Sequence, residues 1–156
     1  MVRLEKMNEF DFDNYINNSI KDYAAEKIKA GAWAQEEAEN LSKETFARLL
    51  PKGIYSENQY LFSIIDDDKQ IKVGYLWFQC YEKLIEKEAF VYDFIVFKEF
   101  RSKGYGTQAL KSLDDVVKGL GINKISLHVF AHNKRALSLY EKTGFIATDI
   151  NMSKNI

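Results

Sequence analysis

The sequence predicts an α/β fold on a mixed sheet, and three observations carry that prediction. Apolar residues switch from a helical to an alternating period near Tyr60. A strand that is apolar at nearly every position, Ala89 to Phe97, follows. After it, helix-period and strand-period segments alternate, the pattern of parallel strands joined by a crossover helix. The composition supports a packed core, with 46% hydrophobic, 14% aromatic and 29% charged residues in 156. No repeat and no Pro-rich or Gly/Ser-rich stretch divides the chain, so residues 1–156 read as one domain.

Element by element, Arg3 to Met7 reads as a short strand. Phe12, Tyr15, Ile16, Ile20, Tyr23, Ala24 and Ile28 then fall at helical spacing behind Asp11 as N-cap, until Gly31 breaks the pattern. A second helix places Ala38, Leu41, Thr45, Phe46 and Leu49 on one face and stops at Pro51 and Gly53. Tyr60 to Ile65 and Ile71 to Tyr81, separated by Asp66-Asp67-Asp68, read as a hairpin. Ala89 to Phe97, with no polar alternation, belongs inside the sheet, covered on both faces. Ala109, Leu110, Leu113, Val116, Val117 and Leu120 form the crossover helix, stopped by Gly119 and Gly121, and Ile125 to Phe130 is the strand parallel to the one before. Asn133 caps a last helix through Lys142, Gly144 ends it in the left-handed region, and a closing strand is expected from Phe145.

Charge and cysteine content narrow the function. A net charge of -1 gives no global pull toward nucleic acid or anionic lipid. The basic residues Arg101, Lys103, Lys134 and Arg135 make a patch the size of a cofactor phosphate, too small to prefer nucleic acid. The single cysteine, Cys80, can form no intrachain disulfide, which favours a reducing compartment. With no apolar leader and no long apolar run, the expected location is the cytoplasm, without a membrane span. Two histidines and scattered carboxylates show no metal-ligand spacing, so no metal is expected.

The most informative stretch is Phe94-Ile-Val-Phe-Lys-Glu-Phe-Arg-Ser-Lys-Gly-Tyr-Gly-Thr107: a buried strand, a basic glycine-containing turn and a helix start near Thr107. Gly104 and Gly106 let the backbone turn tightly and bring several N–H groups to one ligand, and the helix start adds its positive dipole end. Phosphate is the natural guest of such a turn, with Arg101 and Lys103 on its rim, the alternative being an ordinary βα loop with two solvated basic residues. It is neither a Walker A loop nor a GxGxxG fingerprint, which disfavours nucleoside triphosphates and dinucleotides.

In this context the turn resembles the acetyl-CoA loop [RQ]-x-x-G-x-[GA] of the GNAT superfamily of N-acetyltransferases, matched at Arg101, Gly104 and Gly106. Downstream, Val129, Asn133, Ala136, Tyr140, Gly144 and Phe145 are similar to the family's second signature, V-x-x-x-N-x-x-A-x-x-x-Y-x-x-x-G-F. The resemblance covers about Tyr60 to Met152, and Lys21 to Gly53 looks like small bacterial members of unassigned substrate. It implies a GNAT-like N-acyltransferase fold: a mostly antiparallel sheet with a central parallel pair and flanking helices. It also implies an enzyme moving the acetyl group of acetyl-CoA directly to a primary amine. The pantetheine arm is then expected on the backbone of Ile95, Val96 and Phe97, and the pyrophosphate on Ser102 through Thr107, that is Ser102, Lys103, Gly104, Tyr105, Gly106 and Thr107, with Arg101 flanking. Asn133 is expected to bond the cofactor, or only to cap its helix.

The chemistry sets further needs. A lysine-type amine, with a reference pKa of about 10.4, costs about 4 to 5 kcal/mol to deprotonate at pH 7 unless a base helps. Asp93, a carboxylate inside an apolar strand, is the first candidate, its alternative being a hydrogen-bonded structural carboxylate; Glu88 and His128 are weaker ones. His128 reads better as a core histidine in a strand covered on both faces. Tyr140 matches the family position that protonates the leaving thiolate, its alternative being an aromatic face packed on the sheet. The acceptor itself is not legible. Rival readings are a non-catalytic acyl-CoA sensor and an interaction protein of the same fold; the expected partners are acetyl-CoA and an amine acceptor, with a homodimer through an exposed strand as the assembly.

Overall fold

A computed structural model describes all residues, Met1 to Ile156. In chain order the elements are β1 (Val2–Lys6), α1 (Glu9–Lys29), α2 (Gln35–Leu49), β2 (Gln59–Asp66), β3 (Ile71–Glu82), β4 (Lys87–Val96), α3 (Tyr105–Gly119), β5 (Lys124–Leu127) and α4 (Lys134–Lys142). Both α/β class and element sequence follow the pattern of apolar residues. The strands form one sheet in the order β1-β2-β3-β4-β5, antiparallel except for β4 and β5, which run parallel.

The sheet separates two apolar layers. On one face, Ala109, Leu110, Leu113 and Val117 of α3 pack with Tyr140 of α4 against Phe62, Ile64, Leu76, Phe78, Ala89 and Val91. On the other, Tyr15 of α1 and Phe46 of α2 pack with Leu61 and Trp77. Full burial of side chains of this size is worth about 1.5–3 kcal/mol each. The i, i+4, i+8 spacing of Ala109, Leu113 and Val117 is what turns one face of α3 to the sheet.

The structure departs from the sequence pattern at several ends. Asn8, not Asp11, caps α1: its side chain accepts from the Asp11 N–H at 2.7 Å. Asp11 sits in the first turn, where a carboxylate suits the helix dipole, and pairs with Lys72. Helix α3 starts at Tyr105, directly after the left-handed Gly104. Strand β5 stops at Leu127, so His128 to Phe130 leave the sheet, and His128 is exposed rather than covered on both faces. No closing strand forms from Phe145. Ile146, Ile150, Met152 and Ile156 are exposed, and with no apolar face to cover, their segment has nothing to hold it in a ladder. The parallel pair consequently ends the sheet instead of lying at its centre.

Two irregularities shape the sheet. Ile64 pairs with Gly74 but Ile65 with Lys72, leaving Val73 as an extra residue on β3. Gly74 there approaches β4 so closely that a Cβ would overlap the Ile95 carbonyl oxygen. Gly74→Ala should therefore force main chain apart and cost about 3 kcal/mol, at the upper end for overpacking. Urea denaturation of the purified variant measures this as a fall in midpoint at constant slope.

Candidate active site

The second irregularity builds the site. Trp77 pairs with Asp93 and Phe78 with Val91, so Tyr92 is an extra residue on β4. One inserted residue reverses which face each later side chain takes. Before it, Ala89 and Val91 point into the α3 layer; after it, Phe94 and Val96 do, and Tyr92 and Ile95 join the α1 layer. Asp93 thereby faces α1, where the Tyr15 hydroxyl donates to its Oδ2 at 2.7 Å. Without the bulge its carboxylate would enter the α3 core.

Beyond the bulge β4 also loses β5, whose pairing ends at Val91 and Leu127. The Phe97 N–H donates to the Val73 carbonyl at 2.9 Å, so the alternation of an antiparallel ladder turns the main-chain groups of Val96 and Phe94 the other way, to the edge that β5 has left. The Arg101 Nε donates to the Val96 carbonyl at 3.0 Å, in keeping with that direction. The gap opens into a cleft of about 1400 Å³ that reaches from α1 to the start of α3.

At the far end lies the anion turn. Ser102 and Gly104 both take positive φ, 61° and 84°, and α3 begins immediately after. None of the N–H groups from Ser102 to Thr107 donates to the protein. A run of free donors at the positive end of a 15-residue helix is a ready anion site. Arg135 of α4 reaches the Ser102 Oγ at 3.4 Å and adds a guanidinium. Gly106 has a packing reason as well: a Cβ there would lie 2.8 Å from the Leu139 side chain, so it sets how near α3 and α4 can lie.

The two candidate proton-transfer groups border the cleft from opposite layers. Burial raises the Asp93 carboxyl to about 6, against partial lowering by hydrogen bonds from Tyr15 and the Phe94 N–H, and Asp22 pushes it further up. The Tyr140 ring lies 6.3 Å from Phe94 and 5.5 Å from Phe145. Burial, and then the charge of Asp93, raise its hydroxyl well above the ordinary tyrosine value, so it holds its proton throughout the neutral range.

The remaining expected residues divide. Asp93, Ile95, Val96, Arg101, Ser102, Gly104, Gly106, Thr107, Asn133 and Tyr140 all line the one cleft. Phe97 instead borders a separate small cavity. Lys103 projects over the Phe100 ring at 6.0 Å. The Tyr105 side chain turns into the core and donates to Asp66 at 2.5 Å, leaving only its main chain to the turn. Asn133 caps α4, accepting from the Ala136 N–H at 3.2 Å. Glu88 is held by Lys83 and Ser126, each at 2.5 Å, and its carboxyl is lowered by both, the opposite of what a base near neutrality needs. Tyr15 and Asp22 are additional residues of the site; their spacing with Ser19 along one face of α1 was readable, but helix-period apolar residues there point equally to core.

The sheet thus parts at a bulge, with a run of free N–H groups at one end of the opening and a half-buried carboxylate at the other. The chain matches the family described as Acetyltransferase (GNAT) family over residues 23–145, and it belongs to that family. It is 44% identical over 155 residues, 99% of either chain, to the uncharacterized N-acetyltransferase YycN of Bacillus subtilis, and 36% identical to YdgE of the same organism over 98% of this chain and 97% of that one. The crystal structure of YycN superposes with a TM-score of 0.95, covering 100% of this chain and 99% of that one. An acetyltransferase structure from Pyrococcus furiosus, 24% identical and covering both chains fully, shares the fold with a TM-score of 0.70.

The raised Asp93 has a consequence for stability. Its carboxyl sits near 6 folded against 3.8 for the free group, so the folded state favours the protonated form. That contribution is complete below about pH 4 and is lost as pH rises through 6, a difference of roughly 2–3 kcal/mol. Asp93→Asn should therefore be more stable than the parent at pH 7 by about 2 kcal/mol, with the gap closing at pH 4. Paired urea melts at the two pH values measure it.

Proposed function

We propose that the protein is an acetyl-CoA-dependent N-acetyltransferase that acts on a primary amine by direct transfer. The observation that carries this reading is the run of free N–H groups from Ser102 to Thr107 at the start of α3, opening into the same cleft as Asp93 and Tyr140. The turn takes the pyrophosphate of the acetyl-CoA substrate, with Arg101 and Arg135 beside it. The edge of Phe94 and Val96 that β5 has left takes the pantetheine amides, once Arg101 releases the Val96 carbonyl and Asp93 the Phe94 N–H.

In the reaction the acceptor ammonium gives one proton to Asp93, directly or through water, and the free nitrogen forms a bond to the thioester carbonyl carbon. The charge gathering on the carbonyl oxygen is met by a strand N–H at the bulge edge. The carbon–sulfur bond breaks, the leaving sulfur takes the Tyr140 proton, and the second proton of the nitrogen passes through water to restore the Tyr140 hydroxyl, while Asp93 returns the first to solvent. A carboxyl near 6 suits the first step: it is mostly ionised at pH 7 yet far more basic than an exposed aspartate.

Titration calorimetry with acetyl-CoA, CoA and ATP tests the cofactor half. Acetyl-CoA and CoA should bind and ATP should not. Gly104→Val, strained at φ 84°, and Gly106→Val, pressed on Leu139, should lose binding. No binding of either CoA species by the parent protein overturns the reading. Tyr140→Phe should keep acetyl-CoA affinity and lose about 100-fold or more in kcat, the scale of one general acid. Tyr15→Phe removes a hydrogen bond that lowers Asp93, so the acid limb of the kcat/KM profile should move from near pH 6 to higher pH.

A further inference from the structure

Beside Asp93 lies a second, smaller cavity of about 210 Å³, between α1 and the sheet. Its walls include three aromatic rings, Tyr15, Tyr75 and Phe97, meeting edge to face at 5.2 and 5.3 Å. Tyr15 belongs to both places: its ring borders the cavity while its hydroxyl bonds Asp93. Asp22 lines the cavity and the main cleft alike, is exposed, and has no ion-pair partner in the protein. Asn18 adds an amide at the rim.

Of the cations near this wall, Lys72 lies over the Tyr75 ring at 5.4 Å but is already paired with Asp11. Lys27, further along α1, is enclosed by Tyr23, Trp33 and Phe130 at 5.4 to 5.9 Å. Burial lowers the proton affinity of His128 and the Lys27 charge adds to that, whereas the charge that acts on Asp93 is that of Asp22. Aromatic rings and an unpaired carboxylate lining one cavity favour a cation. A carboxylate guest would instead be repelled by Asp22.

Building on the acetyltransfer reading, we infer that this cavity is a subsite for a second ammonium group, with Asp22 as its counter-ion, and that the acceptor is a diamine or polyamine. One amine reacts at Asp93 while the other is held among Tyr15, Tyr75 and Phe97. Asp22 then fixes specificity without touching the reacting atoms.

Three probes of equal length separate the alternatives: 1,5-diaminopentane, n-pentylamine and 5-aminopentanoate, followed by thiol release from acetyl-CoA. The diamine should exceed the monoamine by about tenfold or more in kcat/KM, through KM, with the amino acid poorest. Asp22→Asn should bring the ratio of diamine to monoamine close to one and move the acid limb of the pH profile slightly downward, since a charge that raises Asp93 has gone. Tyr75→Leu should lower the same ratio. A preference for 5-aminopentanoate, or an Asp22→Asn variant that keeps the ratio, overturns the subsite. Turnover of none of the three by protein that binds acetyl-CoA overturns it too, leaving the transferase reading intact; failure to bind acetyl-CoA removes both.

Discussion

The molecule turns on one inserted residue in β4. Because side chains alternate along a strand, an extra residue at Tyr92 lets the same strand serve an apolar core before it and a reactive wall after it. The bulge also increases local twist, and past Val91 the strand parts from β5. Three features follow from that parting: a main-chain edge without a neighbouring strand, a gap in the sheet, and access from two layers that the sheet otherwise keeps separate. Asp93 approaches from the α1 side, and Tyr140 from the α4 side.

The cost of this arrangement is carried by packing on either side of it. Tyr15 and Trp77 are almost fully buried against the stretch that holds Asp93, so the unfavourable carboxylate is fixed by its surroundings rather than free to swing out to water. On the other layer, Gly106 against Leu139 keeps α3 and α4 close, and with them the anion turn and the Tyr140 ring. The turn at the start of α3 and the Tyr140 ring are thus placed by one helix–helix contact. This is the usual relation between a strained functional element and the rigid scaffold that holds it.

Much of this was legible in the residues. The turn from Arg101 to Thr107 announces itself because glycine and basic residues at a strand-to-helix junction have few other uses, and the spacing of Asn133, Tyr140 and Gly144 sets α4. Asp93 stood out because a carboxylate in an apolar strand demands a reason. What could not be read was anything decided by register. The bulge leaves no mark in the sequence, so the face on which Asp93 emerges, its bond to Tyr15 and the cavity under Tyr75 were out of reach. Likewise Tyr105 has the look of a cofactor-loop residue, yet it turns inward because Asp66, distant in sequence, offers it an acceptor. The closing strand was expected from β-favouring residues after Gly144, but propensity alone does not make a strand where no ladder receives it.

That unladdered stretch bears on how the protein behaves in concentrated solution. The outer edge of β5 is only four residues long and begins with Lys124, too short and too charged to template growth into fibres. Close behind it in the chain, Ile146, Ile150 and Met152 stand in water with nothing over them. Exposed apolar side chains therefore gather in the final dozen residues and, at the β3–β4 connection, in Leu84 and Ile85, and salts that strengthen apolar association should promote clumping at both places.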